Sequence, residues 1–293
     1  HTIKDILLRA RFDATCSAGR GDKNEREGLM KIFGHVSKLL ALLACTFCFS
    51  ACGDGKYEES SVALEVIALN VADGANIAAL RADDSNMEMN LISKQKGFLR
   101  RITAVGKDEV TMAKQYYIHV YWETMADAMK AAEVVSADPG GKVLFQYTKN
   151  PNGIDHYAHY EIGDATDRRK NAGVEYPGLT DPKVTDPNVA LEVVALNMAD
   201  GVDLNALKTA DLDMEMNLIS KQKGFIKRIT AVGKSELTQA PQYFIKVFWE
   251  SLDDALNAAK VVGSDPRGQV LFKFVKDPDG LGHYGHYVLG ANQ

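Results

Sequence analysis

The segment Met87-Glu-Met-Asn-Leu-Ile-Ser-Lys-Gln-Lys-Gly-Phe98 occurs a second time, unchanged, at residues 214–225. Around it, residues 62–162 align with residues 189–289 without a gap at a constant offset of 127, and 61 of the 101 pairs are identical. A repeat of this length is a structural unit present in tandem. The sequence therefore predicts two copies of one domain. Because duplication alone explains such identity, residues shared by the copies are weak evidence of function.

Each copy shows the periodicity of an α+β domain. Four apolar or alternating runs of the first copy predict strands, at residues 62–70, 98–105, 115–123 and 156–162. A helical stretch follows Asp73-Gly74, and Thr124-Met-Ala-Asp127 has the form of a helix N-cap. A further helical piece follows Asp138-Pro139. The order β-α-β-β-α-β predicts a ferredoxin-like unit, with helices on one face of an antiparallel sheet.

Length, charge and cysteine usage narrow the class of protein. A chain of 293 residues suits about two domains. Its net charge of −5, with no basic stripe, gives no reason to expect nucleic acid as a partner. All four cysteines lie within the first 52 residues, so we expect neither a disulfide nor thiolate chemistry in the folded part.

The N-terminal region contains a targeting pattern that starts at Met30. Two lysines, an apolar run at residues 39–49 and then Ser50-Ala-Cys52 follow the charged, apolar, small-residue order of a secretory signal. The run of 11 residues is shorter than the ~20 that a membrane span needs. Phe49-Ser-Ala-Cys52 resembles the bacterial lipobox, whose cysteine receives lipid. Cys45 also ends a lipobox-like sequence, but the apolar run before it is too short.

These patterns predict the domain organisation. Residues 1–29 are predicted to be a non-native extension, 30–52 a lipoprotein signal, and 53–61 a tether after the lipidated Cys52. The repeats then occupy 62–162 and 189–289, joined by a proline-containing linker at 163–188. We expect the protein at the bacterial cell envelope, held by its lipid alone and facing the periplasm from the outer membrane.

Several motifs carry a resemblance to a known family. The segments are Lys96-Gly-Phe-Leu-Arg-Arg101, Val120-Tyr-Trp-Glu123, Asp138-Pro with Leu144-Phe145, and His156-Tyr-Ala-His-Tyr160. They resemble the antibiotic biosynthesis monooxygenase family, the dimeric α/β barrel group in which two ferredoxin-like units pair sheet to sheet. The resemblance implies that the two repeats pair within the chain as a pseudo-dimer.

The resemblance also implies a range of activities. Family members include oxygenases that act on electron-rich polycyclic phenols without a cofactor, and heme-degrading enzymes. We therefore expect a small planar aromatic ligand in a cavity between sheet and helices, and no bound cofactor. The alternative is a non-catalytic lipoprotein that binds a small ligand or a partner protein.

The site residues follow from the same resemblance. Heme-degrading relatives use an asparagine at the end of the first strand, a tryptophan on the third strand and a histidine on the second helix. The first two positions correspond to Asn70 and Trp122, and to Asn197 and Trp249 in the second copy. No histidine occupies the second helix, so axial ligation of heme is not expected. Alternatively, the tryptophans are core residues and the asparagines are turn residues.

Other polar residues complete the predicted site. Two tyrosine–histidine pairs, Tyr157 with His159 and Tyr284 with His286, share a strand face, where the histidines are expected to accept a proton. Three further side chains are predicted to contact ligand: His119, Arg101 and Arg228. Alternatively, the tyrosines and histidines are solvated residues of an edge strand, and the arginines are exposed strand residues. The Asp83–Asn86 run is expected to interrupt the first helix. No metal site is predicted, because His156 and His159 should face opposite sides of their strand.

Overall fold

The computed structural model describes residues 62–150, 153–162, 186–277 and 280–290. The predicted extension, signal, tether and lipidated Cys52, and most of the linker, lie outside these residues. In the first repeat the elements are β1 (Ala63–Asn70), α1 (Ile77–Asn90), β2 (Phe98–Asp108), β3 (Lys114–Trp122), α2 (Met125–Ala137) and β4 (Ile154–Glu161). In the second they are β5 (Ala190–Asn197), α3 (Leu204–Asn217), β6 (Phe225–Ser235), β7 (Pro241–Trp249), α4 (Leu252–Ser264) and β8 (Leu281–Val288). The predicted α+β class and the order of elements are confirmed.

The helices begin where side chains cap them. Thr124 accepts a hydrogen bond from the backbone N–H of Asp127 at 3.1 Å, and Ser251 does the same for α4 at 3.2 Å. The first helix runs through Asp84 without interruption, so the expectation of a break there is wrong. Asp84 is 2% exposed and pairs with Arg101, which neutralises the carboxylate and allows it to remain inside the helical face.

All eight strands close into one antiparallel barrel in the order β1-β3-β2-β8-β5-β7-β6-β4, with β4 returning to β1. Each repeat supplies four neighbouring strands. The two groups meet where β2 pairs with β8 and where β4 pairs with β6. At these seams Gly106 and Gly233 pass so near the facing backbone that an added Cβ would lie 1.9 Å from a carbonyl oxygen. Only glycine fits both positions.

Alternate residues of each strand point into the barrel, and the others pack under the helices. The interior is one apolar cluster drawn from both repeats. Two aromatic pairs stack across it: Tyr117 on Tyr287, with ring centroids 4.6 Å apart, and Tyr160 on Phe244 at 4.5 Å. Each repeat has a separate cluster between its own sheet and helices. No helix in the described residues is long and apolar enough to cross a membrane.

One pair of equivalent positions differs in chemistry at the centre of the barrel. His119 and Lys246, which are 127 residues apart, contact each other there, and both are 0% exposed. The Lys246 ammonium also donates to the hydroxyl of Tyr121 at 2.9 Å. Burial, with a smaller contribution from Arg100, lowers the pKa of Lys246 well below its usual 10.5. His119, predicted to contact ligand, therefore lies inside the barrel and not under the helices.

Candidate functional site

Three of the predicted residues gather around a glutamate on the helix-facing side of the second repeat. Trp249 donates its indole N–H to Glu192 Oε2 at 3.2 Å, and the Tyr284 hydroxyl donates to Glu192 Oε1 at 3.5 Å. His286 lies directly opposite Glu192 on the neighbouring strand, with its Nε2 3.9 Å from Oε1. Antiparallel register thus brings together residues that the sequence separates widely.

The first repeat contains the same arrangement around Glu65. Trp122 donates to Oε2 at 3.2 Å, Tyr157 donates to Oε1 at 3.4 Å, and His159 Nε2 lies 3.9 Å from Oε1. Tyr157 and His159 therefore lie on the same face of β4, as predicted. A mid-strand glutamate, Glu65 or Glu192, is thus the centre of each cluster.

A pocket of about 80 Å³ lies beside Glu192, between the sheet and the helices, and is partly open to solvent. Its polar wall consists of Glu192, Arg228, Trp249 and Tyr284; the rest is mostly apolar. The volume is below the ~300 Å³ of ordinary ligand pockets and below the ~150 Å³ of a cavity that admits benzene. A ringed ligand therefore requires the wall to move, or must project through the open side.

The protonation states in this cluster follow from burial and from one ion pair. Burial raises the pKa of Glu192 above its usual 4.5, although His286 and the bond from Trp249 act in the opposite direction. Behind it, His286 Nδ1 lies 3.1 Å from Glu109 Oε1. Burial is the largest single influence on the pKa of Glu109 and raises it, but the hydrogen bond and charge of His286, together with Lys107, outweigh burial and lower the pKa below its usual 4.5. Glu109 therefore faces His286 Nδ1 as a carboxylate.

Each site takes a residue from the other repeat. Glu109 belongs to the first repeat and His286 to the second; conversely, Glu236 of the second repeat lies 3.1 Å from His159 of the first. The backbone N–H of each glutamate also bonds across the seam, Glu109 to the carbonyl of Tyr284 at 2.8 Å. The Nε2 atoms of His159 and His286 are buried and bond to no described residue. The two clusters are therefore parts of one assembly.

The arginines predicted to hold an anionic ligand are buried, so the alternative that they are exposed is wrong. Arg228 binds Asp211 through two nitrogens, lies 3.4 Å from Glu215, and is 2% exposed. Tyr243 donates to the same Asp211 at 2.9 Å. Arg101 repeats this arrangement with Asp84. Within the fold, carboxylates therefore already balance the guanidinium charge.

In the structure, the predicted asparagines do not lie near the tryptophans. On β1 the residue opposite Trp122 is Ala63, whereas Asn70 lies opposite Gln115. Seven residues of strand separate the two positions, or roughly 23 Å at ~3.3 Å per residue. Asn70 accepts a hydrogen bond from Gln115 Nε2 at 3.0 Å, at the other end of the strand. Asn197 bonds in the same way in the second repeat, so both asparagines are separate from the glutamate clusters.

Comparison with known proteins identifies a solved structure with a similar fold. No family model matches the chain, and no curated protein matches it. An anthrone oxidase-like protein has a similar structure, with a TM-score of 0.54 and 9% identity over 79% of this chain and 92% of that one. The chain therefore shares its α+β barrel fold with that protein, in agreement with the fold that the sequence resemblance implied.

Two other solved structures match less well. One is the encapsulated DyP-type peroxidase of Mycobacterium smegmatis, with a TM-score of 0.47 and 11% identity over 78% of this chain and 93% of that one. The other is a variant of chlorite dismutase from Candidatus Nitrospira defluvii, with a TM-score of 0.46 and 12% identity over 78% and 92%. These scores are too low to support an argument about this chain.

Proposed function

We propose that the protein binds a small phenolic aromatic in the pocket of the second repeat and that Glu192 removes the proton of its hydroxyl group. The observation that carries this proposal is a buried carboxylate of raised pKa in the pocket wall, next to the indole of Trp249. A carboxylate with a pKa nearer neutrality is a stronger general base than an ordinary one. The indole offers an aromatic face to a ring.

Proton removal accounts for oxygenation without a cofactor. The anion of an electron-rich phenol reacts with dioxygen, whereas the neutral phenol does not. Glu192 would take the proton and would release it to solvent through the open side of the pocket. His286 Nε2, 3.9 Å from Glu192 Oε1, is too distant for a direct hydrogen bond to the glutamate. The similarity in fold to an anthrone oxidase-like protein supports this class of reaction.

The proposal includes pairing of the repeats as a one-chain counterpart of a dimer. The two inter-repeat strand pairs and the exchange of Glu109 and Glu236 support it. Since each histidine is oriented by a glutamate of the other repeat, neither site is complete in one repeat. Duplication within one chain then fixes the stoichiometry of the two halves.

The test uses the full chain with Trp122→Phe, which leaves Trp249 as the sole tryptophan. Single-ring and tricyclic phenols should quench its fluorescence saturably. In the same background, Glu192→Gln should lower oxygen consumption by ~100-fold or more, because it removes the base. The rate should rise with pH as Glu192 ionises, and this rise should disappear in the variant. Glu65→Gln, the matched change in the first repeat, should leave the second-repeat rate unchanged.

The outcomes separate two functions. Quenching with oxygen consumption that depends on Glu192 supports the oxygenase. Quenching without oxygen consumption supports the second candidate, a non-catalytic binding protein, which the small volume of the pocket favours. Failure of every phenol to quench Trp249 at millimolar concentration would exclude the oxygenase and leave the non-catalytic binding protein.

We also propose that the protein is anchored to the outer membrane by lipid on Cys52, on the evidence of the pattern from Met30 to that residue. Metabolic labelling with a fatty acid should be abolished in Cys52→Ala and retained in Cys45→Ala. Labelling that depends on Cys45 instead would contradict the assignment.

A further inference from the structure

Two carboxylates and an imidazole converge at one end of the barrel, where the repeats meet. Asp108 ends β2, Asp155 lies on β4 and His283 lies on β8. His283 Nδ1 is 3.2 Å from Asp155 Oδ2 and 3.9 Å from Asp108 Oδ2, and the three atoms lie within 4.8 Å of one another. His283 points into the barrel, on the opposite face of β8 from His286. The cluster is thus separate from the phenol pocket.

The hydrogen bonds behind His283 determine which ring nitrogen carries the proton. Gln115 Nε2 donates to Asn70 Oδ1 at 3.0 Å, so its Oε1 faces the other way and accepts from the Tyr287 hydroxyl at 2.6 Å. With its only proton used, Tyr287 must accept from His283 Nε2, which lies 2.8 Å away. Nδ1 then faces two carboxylates, so a positive charge, either a proton on Nδ1 or a bound cation, must lie between them.

A proton on Nδ1 does not satisfy both carboxylates. At 3.2 Å it can serve Asp155, but 3.9 Å is too long for a hydrogen bond to Asp108. Asp108 Oδ1 already accepts from the backbone of Val110 and from the backbone and hydroxyl of Thr111. Its Oδ2 is the oxygen that faces His283, and Asp108 as a whole is 4% exposed. A metal ion would bind all three atoms at once.

The symmetry-related position around His156, where the two repeats exchange roles, provides an internal comparison. His156 Nε2 bonds to Tyr160 at 2.9 Å, and Tyr160 donates to Gln242 at 2.7 Å, in the same chain of contacts as at His283. The positions equivalent to the two aspartates, however, hold Ser235 and Gly282. Only one of two otherwise matched histidines faces carboxylates.

We propose that Asp108, Asp155 and His283 bind a divalent first-row transition-metal ion that links the two repeats. One imidazole nitrogen and two carboxylate oxygens suit Zn²⁺ and similar ions, whereas Ca²⁺ and Mg²⁺ prefer oxygen alone. Bonds of ~2.0–2.2 Å place ligand atoms roughly 3–4 Å apart, a range that includes the distances of 3.2 and 3.9 Å from His283 Nδ1 to the two carboxylates. The hydrogen bond from His283 to Tyr287 is the outer contact that metal-bound histidines usually make. Asp155, whose side chain is 24% exposed, provides the entry route.

This site was not predicted from the sequence because only histidines of one strand were considered. His156 and His159 do face opposite sides of β4, as expected: His156 contacts Tyr160 inside the barrel, and His159 contacts Glu236. The proposed ligands come instead from both repeats. No spacing along the chain reveals such a set.

The experiment is calorimetric titration of the full chain, treated with a chelator and dialysed, with Zn²⁺. One ion per chain should bind with micromolar or tighter affinity and raise the melting temperature. Asp155→Asn, at a partly exposed position, should weaken binding on the order of 100-fold. Asp108→Ser with Asp155→Gly, which installs the residues of the second repeat, should abolish it. Asp253→Asn, an equal charge change on the surface of α4, should not alter it.

Two results would overturn the proposal. One is the absence of saturable Zn²⁺ binding in the unaltered chain. NMR that shows His283 doubly protonated at neutral pH would then identify a proton as the cation between the carboxylates. The other is Zn²⁺ binding that persists in the double variant, which would place the metal elsewhere. Circular dichroism and thermal unfolding of each variant establish that lost binding is not lost folding.

Discussion

Replacing Arg228 with Met should lower the free energy of unfolding by about 3–5 kcal/mol, because Asp211 would remain as an uncompensated buried charge. Both side chains are almost fully buried, at 0% and 3% exposed, and Tyr243 cannot replace the lost positive charge. Urea unfolding measures the change. Arg101→Met in the first repeat should cause a loss of the same order, since it faces Asp84 in the same way.

The matched control is Arg267→Met. Arg267 also pairs with an aspartate, Asp265, but its side chain is 46% exposed, so its loss should cost at most ~1 kcal/mol. The double change Arg101→Met with Asp84→Leu should recover most of the stability lost in Arg101→Met, because it removes both charges and leaves only Glu88, whose side chain is 34% exposed. Equal losses at Arg228 and Arg267 would show that burial does not determine the strength of these pairs.

The first repeat alone, residues 56–165, should self-associate as a dimer and not persist as a monomer. Without β6 and β8 the edges of β2 and β4 lose their partners, and inward-facing Leu64, Val66 and Tyr117 would meet water. A second copy can cover both. Sedimentation should therefore give twice the monomer mass, and the melting temperature should rise with protein concentration.

The full chain serves as the reference for this prediction, since it should sediment as a monomer with a melting temperature independent of concentration. Mixing the two separate repeats should form a one-to-one complex. A stable monomeric first repeat, or full-chain scattering typical of two separated bodies, would contradict pairing within the chain.

The sequence was sufficient to predict the elements but not how their faces meet. The offset of 127 defines the repeats, and the caps at Thr124 and Ser251 locate the second helices because capping is a local interaction. The expected grouping of Asn70 with Trp122 failed for a non-local reason. Both occupy strand ends, but antiparallel pairing places those ends at opposite edges of the sheet.

Contacts between the repeats could not be predicted from the sequence for the same reason. Glu109 reaches His286 only because β2 and β8 are neighbours in the barrel, and no local pattern records that pairing. A local signal did exist for Glu192, which interrupts an otherwise apolar strand. It indicated an unusual side chain without identifying the tryptophan, tyrosine and histidine that surround it.

The contact between His119 and Lys246 depends on the two copies having different sequences. A homodimer must present the same residue from both subunits at its symmetry axis, so a lysine there would face another lysine in a site without solvent. Two copies joined in one chain are free of that restriction, because each copy carries its own residue at this position. Here an imidazole faces the lysine and hydrogen-bonds to it. The second copy paired with itself would bring two lysines together, so it should form a weaker dimer than the first copy.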